Sequence, residues 1–200
     1  MKHTLLTLAF GLAVTSVFAG TYGAPKNPIV PASPPAPACN TISYDFVEAQ
    51  YIRLFGENEA DGFGGHISKS ITSNLFAFGS YNQFWGDTDF LSLDAGLGYH
   101  IPMTSCVDLV GKVACVYDDS DYDQAFSGTV GLGFRIGLAQ WLQLDLFYHG
   151  FAYEFEDYYS SGSAALIFRE VIAPKVDVIV AGGVGQEDYQ QVSAGFRYNF

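Results

Sequence analysis

The sequence predicts an all-β protein, a transmembrane antiparallel up-and-down β-barrel of ten strands. From Thr41 onward, apolar and polar residues alternate with the period of two that is typical of strands with one apolar face. Polar or turn-forming clusters interrupt this alternation at regular intervals. Only 15% of the residues are charged while 49% are hydrophobic, which is a low charge content for a soluble domain. The formal net charge of −12 argues against nucleic acid as a partner.

Two segments precede the predicted barrel, which covers 41–200. Residues 1–19 have a basic start, a short apolar run at 5–17 and small residues before Gly20, as in a secretory signal peptide cleaved after Ala19. The apolar run is shorter than the roughly 20 residues that a membrane-spanning helix needs, which disfavours a retained anchor. Residues 20–40 are rich in proline and alanine and are interpreted as a disordered leader rather than a ligand for a specific partner.

The alternation after residue 40 divides into ten strands, with eight as the alternative number. We expect them at 42–56, 63–72, 75–86, 90–101, 106–117, 125–137, 141–155, 162–172, 176–186 and 190–200. The last is the clearest, because Val192, Ala194, Phe196, Tyr198 and Phe200 share one face and polar or small residues share the other.

Alternation alone fits a soluble barrel with its apolar face inside or a membrane barrel with that face outside. Two observations favour the membrane barrel. The polar faces carry charges of both signs, but fewer in total than a water-exposed surface would carry. Glycines lie mostly on those polar faces, where small residues let a narrow lumen close around its long side chains.

The acidic residues segregate to one set of connections between the predicted strands. The set contains most of the acids and no lysine or arginine: Glu57, Glu59, Asp61, Asp87, Asp89, Asp118, Asp119, Asp121, Asp123, Glu154, Glu156, Asp157, Glu187 and Asp188. The opposite connections, at 72–74, 102–105, 138–140 and 173–175, are short and contain no acid. Short turns at one end and longer loops at the other are the asymmetry of outer-membrane barrels.

The chain resembles small outer-membrane β-barrel (porin-family, OmpA/OmpW-like) proteins of Gram-negative bacteria. The resemblance rests on the order and spacing of short motifs across 41–200: YDFVEA at 44–49, DGFGG at 61–65, FAFGSY at 76–81, LGYH at 97–100, DLV at 108–110 and GFRYNF at 195–200. It implies a location in the cell outer membrane, no enzymatic activity, and assembly by the barrel-assembly machinery through Phe196, Tyr198 and Phe200. The best-known small relatives have eight strands, and the proline-rich leader with Cys39 lies outside their pattern.

The first candidate site is the lumen. Its predicted inward charges are Glu48, Asp94, Asp108, Lys112, Arg135, Asp145, Arg169, Asp177 and Arg197. We expect these opposite charges to satisfy one another, and Arg197 to meet Glu48 of the first strand. Small barrels are filled by their own side chains, whereas open channels need about sixteen strands, so a plugged lumen is preferred to a narrow path for ions or small solutes.

Three other candidate sites are weaker. Carboxylates at Asp119, Asp121 and Asp123 are oxygen ligands of the kind that divalent cations prefer, but a solvated acidic rim is the better interpretation. Cys39 and Cys106 both fall at the short-turn end, and a disulfide between them is a hypothesis for an oxidising compartment. Cys106 and Cys115 are too far apart along one strand to pair. The histidines His66, His100 and His149 are interpreted as lumen residues rather than catalytic ones, and no cofactor is expected.

The expected function is therefore a structural or surface-interaction role in the outer membrane, with an acidic extracellular rim. A narrow porin-like channel is the second hypothesis, and a soluble periplasmic ligand-binding barrel is the third. The expected partners are outer-membrane lipid, lipopolysaccharide and the assembly machinery. The oligomeric state stays open, with a monomer preferred.

Overall fold

The computed structural model describes Cys39 and residues 42–56, 59–86, 89–120, 124–153, 157–186 and 190–200. The predicted signal peptide and the leader before Cys39 lie outside these residues. Ten strands form, and their bounds are β1 Phe46–Phe55, β2 Ala60–Ser70, β3 Leu75–Gly86, β4 Phe90–Thr104, β5 Val107–Ser120, β6 Gln124–Ala139, β7 Leu142–Tyr153, β8 Asp157–Ala173, β9 Val176–Gly185 and β10 Gln190–Asn199.

The ten strands form one closed antiparallel barrel in which each strand pairs with its neighbours in sequence. The barrel closes where β1 pairs with β10, from Phe46 opposite Asn199 to Phe55 opposite Gln190. This confirms the predicted all-β up-and-down fold and its ten strands, and it excludes the eight-stranded alternative. Within the described residues, no helix is long and apolar enough to cross a membrane.

The faces of the strands follow the alternation in the sequence. In β10, Val192, Phe196 and Tyr198 are exposed, whereas Ser193 and Arg197 are buried inside. The same division holds around the barrel, so the outer surface consists largely of aliphatic and aromatic side chains. The two tryptophans, Trp85 and Trp141, lie exposed at opposite ends of the barrel, as interfacial aromatic residues do in membrane proteins.

The two ends of the barrel differ in composition, and we name them by their connections. The acidic end carries the connections β1–β2, β3–β4, β5–β6, β7–β8 and β9–β10, and the short-turn end carries the other four together with the start of β1. The connections at the acidic end are shorter than expected, with three or four residues between strand bounds against two to four at the short-turn end. Strand β5 runs to Ser120, where Asp118 and Asp119 pair with Ala125 and Gln124 of β6, because the ladder satisfies backbone groups beyond the apolar zone.

The expected start of the first strand was wrong, and one ladder has an irregularity that was not predicted. The first strand begins at Phe46 rather than at residue 42, because residues 42–45 turn into the barrel. Strand β8 runs without a break from Asp157 to Ala173, but its pairing with β9 shifts register between Phe168 and Ala173. Glu170 there has a φ of 52°, a left-handed conformation that costs energy for a residue with a side chain. Its backbone N–H donates to Asp177 Oδ1 at 3.0 Å, which replaces the lost ladder bond.

Inward glycines make room for large lumen side chains, and Gly98 shows this most clearly. A Cβ atom at Gly98 would overlap the buried ring of Phe76, whereas a Cβ atom at the outward Gly111 would meet nothing within 4 Å. We predict that Gly98→Ala costs about 1–3 kcal/mol of folding free energy through overpacking. Gly111→Ala is the matched control and should change it by less than about 0.5 kcal/mol. Urea unfolding in lipid vesicles measures both, and equal effects would contradict the prediction.

Candidate functional site: the barrel lumen

The lumen is the candidate site because all nine charged residues predicted to face inward do so. Glu48, Asp108, Arg135, Asp145, Asp177 and Arg197 are buried, and Asp94, Lys112 and Arg169 are partly buried. The strand period alone places them there, because alternate residues of a strand face the same side. Each of the nine has the same parity, odd or even in residue number, as the other inward residues of its strand. Their heights in the barrel differ, and this divides the lumen into a filled part near the short-turn end and a cavity toward the acidic end.

A buried ion pair joins the first and last strands. Glu48 and Arg197 are direct register partners in the β1–β10 ladder. Arg197 Nε donates to Glu48 Oε1 at 2.6 Å, and Nη2 lies 2.5 Å from the same oxygen. The guanidinium also lies over the ring of Phe46, 4.1 Å from its centroid. The structure thus places Arg197 where the sequence analysis expected it, at the seam that closes the barrel.

A second buried pair crosses the β6–β7 ladder. Arg135 Nε lies 3.3 Å from Asp145 Oδ2, and both side chains are almost fully buried. Arg135 Nη1 donates to the backbone carbonyl of Ser43 at 3.3 Å, and its guanidinium lies 4.6 Å from the ring centroid of Tyr44. This arginine therefore connects the barrel wall to the segment that precedes β1.

A third polar group lies closer to the short-turn end. Gln143 is fully buried, donates to Asp145 Oδ1 at 2.6 Å and accepts a hydrogen bond from Arg169. Asp177 Oδ2 accepts from Asn199 Nδ2 at 2.8 Å. Gln143 was not among the residues predicted from the sequence, although it lies on the same face of β7 as Asp145, which was a usable signal.

Residues 42–45 form a plug at the short-turn end, a feature that was not predicted from the sequence. Tyr44 is 5% exposed, stacks on His100 with ring centroids 4.1 Å apart and packs against Phe76. Its hydroxyl donates to Asp108 Oδ2 at 2.8 Å. Asp45 anchors the segment to β2, where the backbone N–H of Ser70 donates to its carboxylate at 2.6 Å and holds its pKa below the usual range.

A disulfide bond ties the chain before this plug to the barrel. Cys39 and Cys106 form it, with their Cα atoms 5.6 Å apart, which confirms the disulfide hypothesis. Cys106 lies in the turn before β5 rather than in the predicted strand. Cys115 is a free thiol exposed on the outer face of β5. The plug is therefore held covalently at one end and by β1 at the other.

We predict that the folded protein isolated from an oxidising compartment carries one reactive thiol. Alkylation in denaturant should add one label per chain before reduction and three after it, because only Cys115 is free. Mass spectrometry of the digested protein should show a peptide pair linked through Cys39 and Cys106. Labelling of all three cysteines before reduction would contradict the prediction.

A cavity of about 790 Å³ occupies the lumen on the acidic side of the ion pairs. Its floor includes Glu48, Arg135, Asp145 and Arg197. Its wall extends to Asp118 and Gln186 at the acidic end. Tyr44, Phe76, Val110 and Gln143 of the filled part are not among its lining residues. This cavity, the vestibule, thus has a floor of paired charges.

The expectation that all lumen charges satisfy one another was wrong for two residues. Lys112 forms no ion pair or hydrogen bond with any described residue, and its ammonium group lies between the rings of Phe78 and Phe147, 5.1 and 4.5 Å from their centroids. Asp94 Oδ2 accepts from Ser80 at 2.5 Å, but its buried Oδ1 has no partner in the described structure. Both residues line the vestibule. Alternation predicts which face of the strand a residue lies on, but not its position along the barrel axis. The distance between Lys112 and Asp94 was therefore not predictable from the sequence.

The histidines and the acidic-rim candidate complete the predicted sites. His100 Nδ1 lies 3.2 Å from Asp108 Oδ2, while His66 and His149 lie among aromatic rings. Of the metal candidate, Asp119 is in β5, and Asp121 and Asp123 lie outside the described residues. In the part of the chain that the structure describes, no group of three or more His, Cys, Asp or Glu residues could hold a metal ion. The rim-cation hypothesis stays a prediction.

An apolar outer surface around a charged and polar lumen is the arrangement of a transmembrane β-barrel, the class to which this fold corresponds. Solved structures of membrane barrels are similar to the chain. The KdgM porin in complex with disordered oligogalacturonate has 10% identity and a TM-score of 0.44, over 76% of this chain and 99% of that one. A de novo designed transmembrane β-barrel has 12% identity and a TM-score of 0.41, over 80% and 100%.

A third similar structure is the Acinetobacter baumannii outer membrane protein Omp33, with 14% identity and a TM-score of 0.36 over 78% of this chain and 98% of that one. At these identities the similarity concerns architecture alone. No protein-family model matches the sequence, and no curated protein matches it.

Proposed function

We propose that the protein is an integral barrel of the bacterial outer membrane, similar to the small porin-family barrels, with a structural or surface-interaction role rather than an enzymatic one. The outward aliphatic and aromatic side chains support insertion in lipid. The outward Phe196, Tyr198 and Phe200 support recognition of β10 by the barrel-assembly machinery. The acidic end then faces outward as an extracellular rim near lipopolysaccharide, and the short turns face the periplasm.

The floor of the vestibule is the observation that carries the proposed role. Each of the pairs Glu48–Arg197 and Arg135–Asp145 joins two neighbouring strands, and both guanidinium groups lie over the buried ring of Phe46. The Tyr44 plug fills the space beneath them. Opening a path for solute would displace Phe46 and the two guanidinium groups packed on it, and an arginine that left its carboxylate in this way would cost several kcal/mol. A barrel closed in this way suits envelope structure or surface contact better than transport.

Planar-bilayer recording of the refolded, disulfide-bonded protein tests the closed lumen. We expect no discrete conductance steps at any applied voltage, because the ion pairs and the plug block the lumen. The matched control is Cys106→Ser, which removes the covalent tie of the plug but leaves the ion-pair floor and should also stay silent. Reproducible steps from the wild-type protein would overturn the closed-lumen role and favour the second candidate, a narrow channel, whose specific support is the large vestibule.

Surface labelling of intact cells tests the orientation. A peptide epitope inserted between β5 and β6 should be accessible to antibody on whole cells, because that connection lies at the acidic end. The same epitope inserted at residues 140–141, between β6 and β7, is the matched control and should become accessible only after the outer membrane is opened. The reverse pattern would contradict the proposed orientation, and recovery of the protein in the soluble fraction without detergent would overturn the membrane location.

A further inference from the structure

We propose that the vestibule binds a small zwitterion carrying one ammonium and one carboxylate group, with Lys112 holding the carboxylate and Asp94 holding the ammonium. Two polar groups that line this cavity have no hydrogen-bond partner among the described residues. An ammonium group has three hydrogen-bond donors, and none of those of Lys112 reaches an acceptor among the described residues. Asp94 Oδ1 is a buried acceptor without a donor. Leaving such groups unsatisfied is costly, and a bound ligand would remove that cost.

The aromatic contacts of Lys112 do not replace a hydrogen-bond partner. The rings of Phe78 and Phe147 attract the cation through their faces, but they offer no oxygen acceptor. Lys112 is opposite Gly98 in β4 and Gly131 in β6, so neither neighbouring strand places a side chain beside its stem. A carboxylate entering the cavity therefore has open access to an unpaired cation, with which it forms strong charge-assisted hydrogen bonds.

The spacing of the two residues suits one ligand that carries both charges. Asp94 is opposite Val116, and Lys112 is opposite Gly98, four residues further along the β4–β5 ladder. At the strand rise this separates their Cα atoms by about 13 Å along the barrel. Their side chains point into the same cavity and do not meet, so a molecule with an acidic and a basic group can lie between them.

Charge at the entrance favours a zwitterion over an anion. Asp118 lines the upper wall, and the acidic end carries further carboxylates, so an ion with net negative charge is repelled there. A zwitterion has no net charge to be repelled. Asp94 lies nearer the acidic end than Lys112, and the ligand would therefore enter with its carboxylate directed inward and its ammonium toward the mouth.

The remaining wall indicates room for an apolar side chain. Phe84 and Phe90 stack with ring centroids 4.3 Å apart at the upper part of the cavity, and Phe151 lies on the opposite wall. The volume of about 790 Å³ lies within the range of small-molecule sites. Free α-amino acids with an apolar side chain have this combination of groups, and L-leucine is a suitable probe.

Calorimetric titration of the refolded barrel in an uncharged detergent tests the proposal. The three probes are L-leucine, N-acetyl-L-leucine, which keeps only the negative charge, and L-leucine methyl ester, which keeps only the positive charge. We expect one L-leucine per barrel and at least about tenfold weaker binding of either blocked probe. Absence of binding at millimolar concentration, or equal binding of all three probes, would overturn the proposal.

Two substitutions assign the charges to residues. Lys112→Gln should weaken L-leucine binding about tenfold and leave the methyl ester unchanged, and Asp94→Asn should weaken L-leucine and leave N-acetyl-L-leucine unchanged. Lys69→Gln is the control, because Lys69 lies on the outer face and should not affect binding. Heat-modified mobility on gels verifies that each variant is folded. Unchanged L-leucine binding in a folded Lys112→Gln barrel would overturn the assignment, whereas the membrane location and the closed lumen are tested separately.

Discussion

Arg197→Ala should destabilise the barrel by about 3–5 kcal/mol, because it leaves the Glu48 carboxylate buried without its counter-ion. Glu48 and Arg197 are each about 6% exposed at the side chain, and two guanidinium nitrogens lie 2.5 and 2.6 Å from one carboxylate oxygen. The pair also joins β1 to β10, so its loss weakens the contact that closes the barrel. No other single lumen substitution is expected to cost more.

Urea titration of the barrel in lipid vesicles measures this effect. Arg53→Ala is the matched control, since Arg53 pairs with Glu59 at 3.0 Å on the exposed acidic end, and exposed pairs contribute little. A loss in Arg197→Ala as small as that in Arg53→Ala would contradict the assignment of the Glu48 pair as a structural element. The double variant Glu48→Leu with Arg197→Met should recover most of the stability, because apolar residues of similar volume often replace a buried ion pair without loss.

Val113→Arg should cost about 2–4 kcal/mol, because it places a charge on the lipid-facing surface near the bilayer midplane. Val113 is central in β5, and its side chain is 56% exposed on the outer face. In a water-soluble barrel, an arginine at so exposed a position would be harmless. The predicted loss of stability therefore depends on lipid as the surrounding solvent.

Ile71→Arg is the matched control for depth. Ile71 is also 56% exposed, but it lies in the turn between β2 and β3, where the cost of a charge falls to about 1 kcal/mol or less. Unfolding of both variants in vesicles of the same lipid compares them directly. Equal effects at the two positions would contradict a membrane-spanning outer face.

The period-two pattern was sufficient to predict the barrel and the direction of its side chains. Val192 has an even number and Arg197 an odd one, so the pattern places them on opposite faces. In the structure Val192 is on the outside of the barrel and Arg197 is inside. The Glu48–Arg197 pair followed from topology, because the first and last strands of a closed antiparallel barrel must be neighbours. These conclusions needed only the geometry of a strand and the rule that a barrel has no edge.

Other features depended on three-dimensional arrangements that parity does not contain. Tyr44 has the parity of the inward residues, so the pattern extended the strand through it, although the chain there turns into the barrel and fills its end. The register shift around Glu170 depends on a hydrogen bond from its backbone to Asp177, seven residues away. Lys112 and Asp94 were assigned to the correct face, but their heights, and so their lack of partners, depend on how each strand is placed along its neighbours.

Contact between the apolar outer face and lipid can be tested directly at Cys115, without mutation. This free thiol lies on the outer face of β5, two residues from Val113. It should react with an apolar bimane reagent in folded barrels, and lipids brominated in the middle of their acyl chains should quench the attached fluorophore. A negatively charged thiol reagent should modify it only after unfolding. Rapid reaction with that charged reagent in folded barrels, with no quenching by brominated lipid, would contradict this contact with lipid.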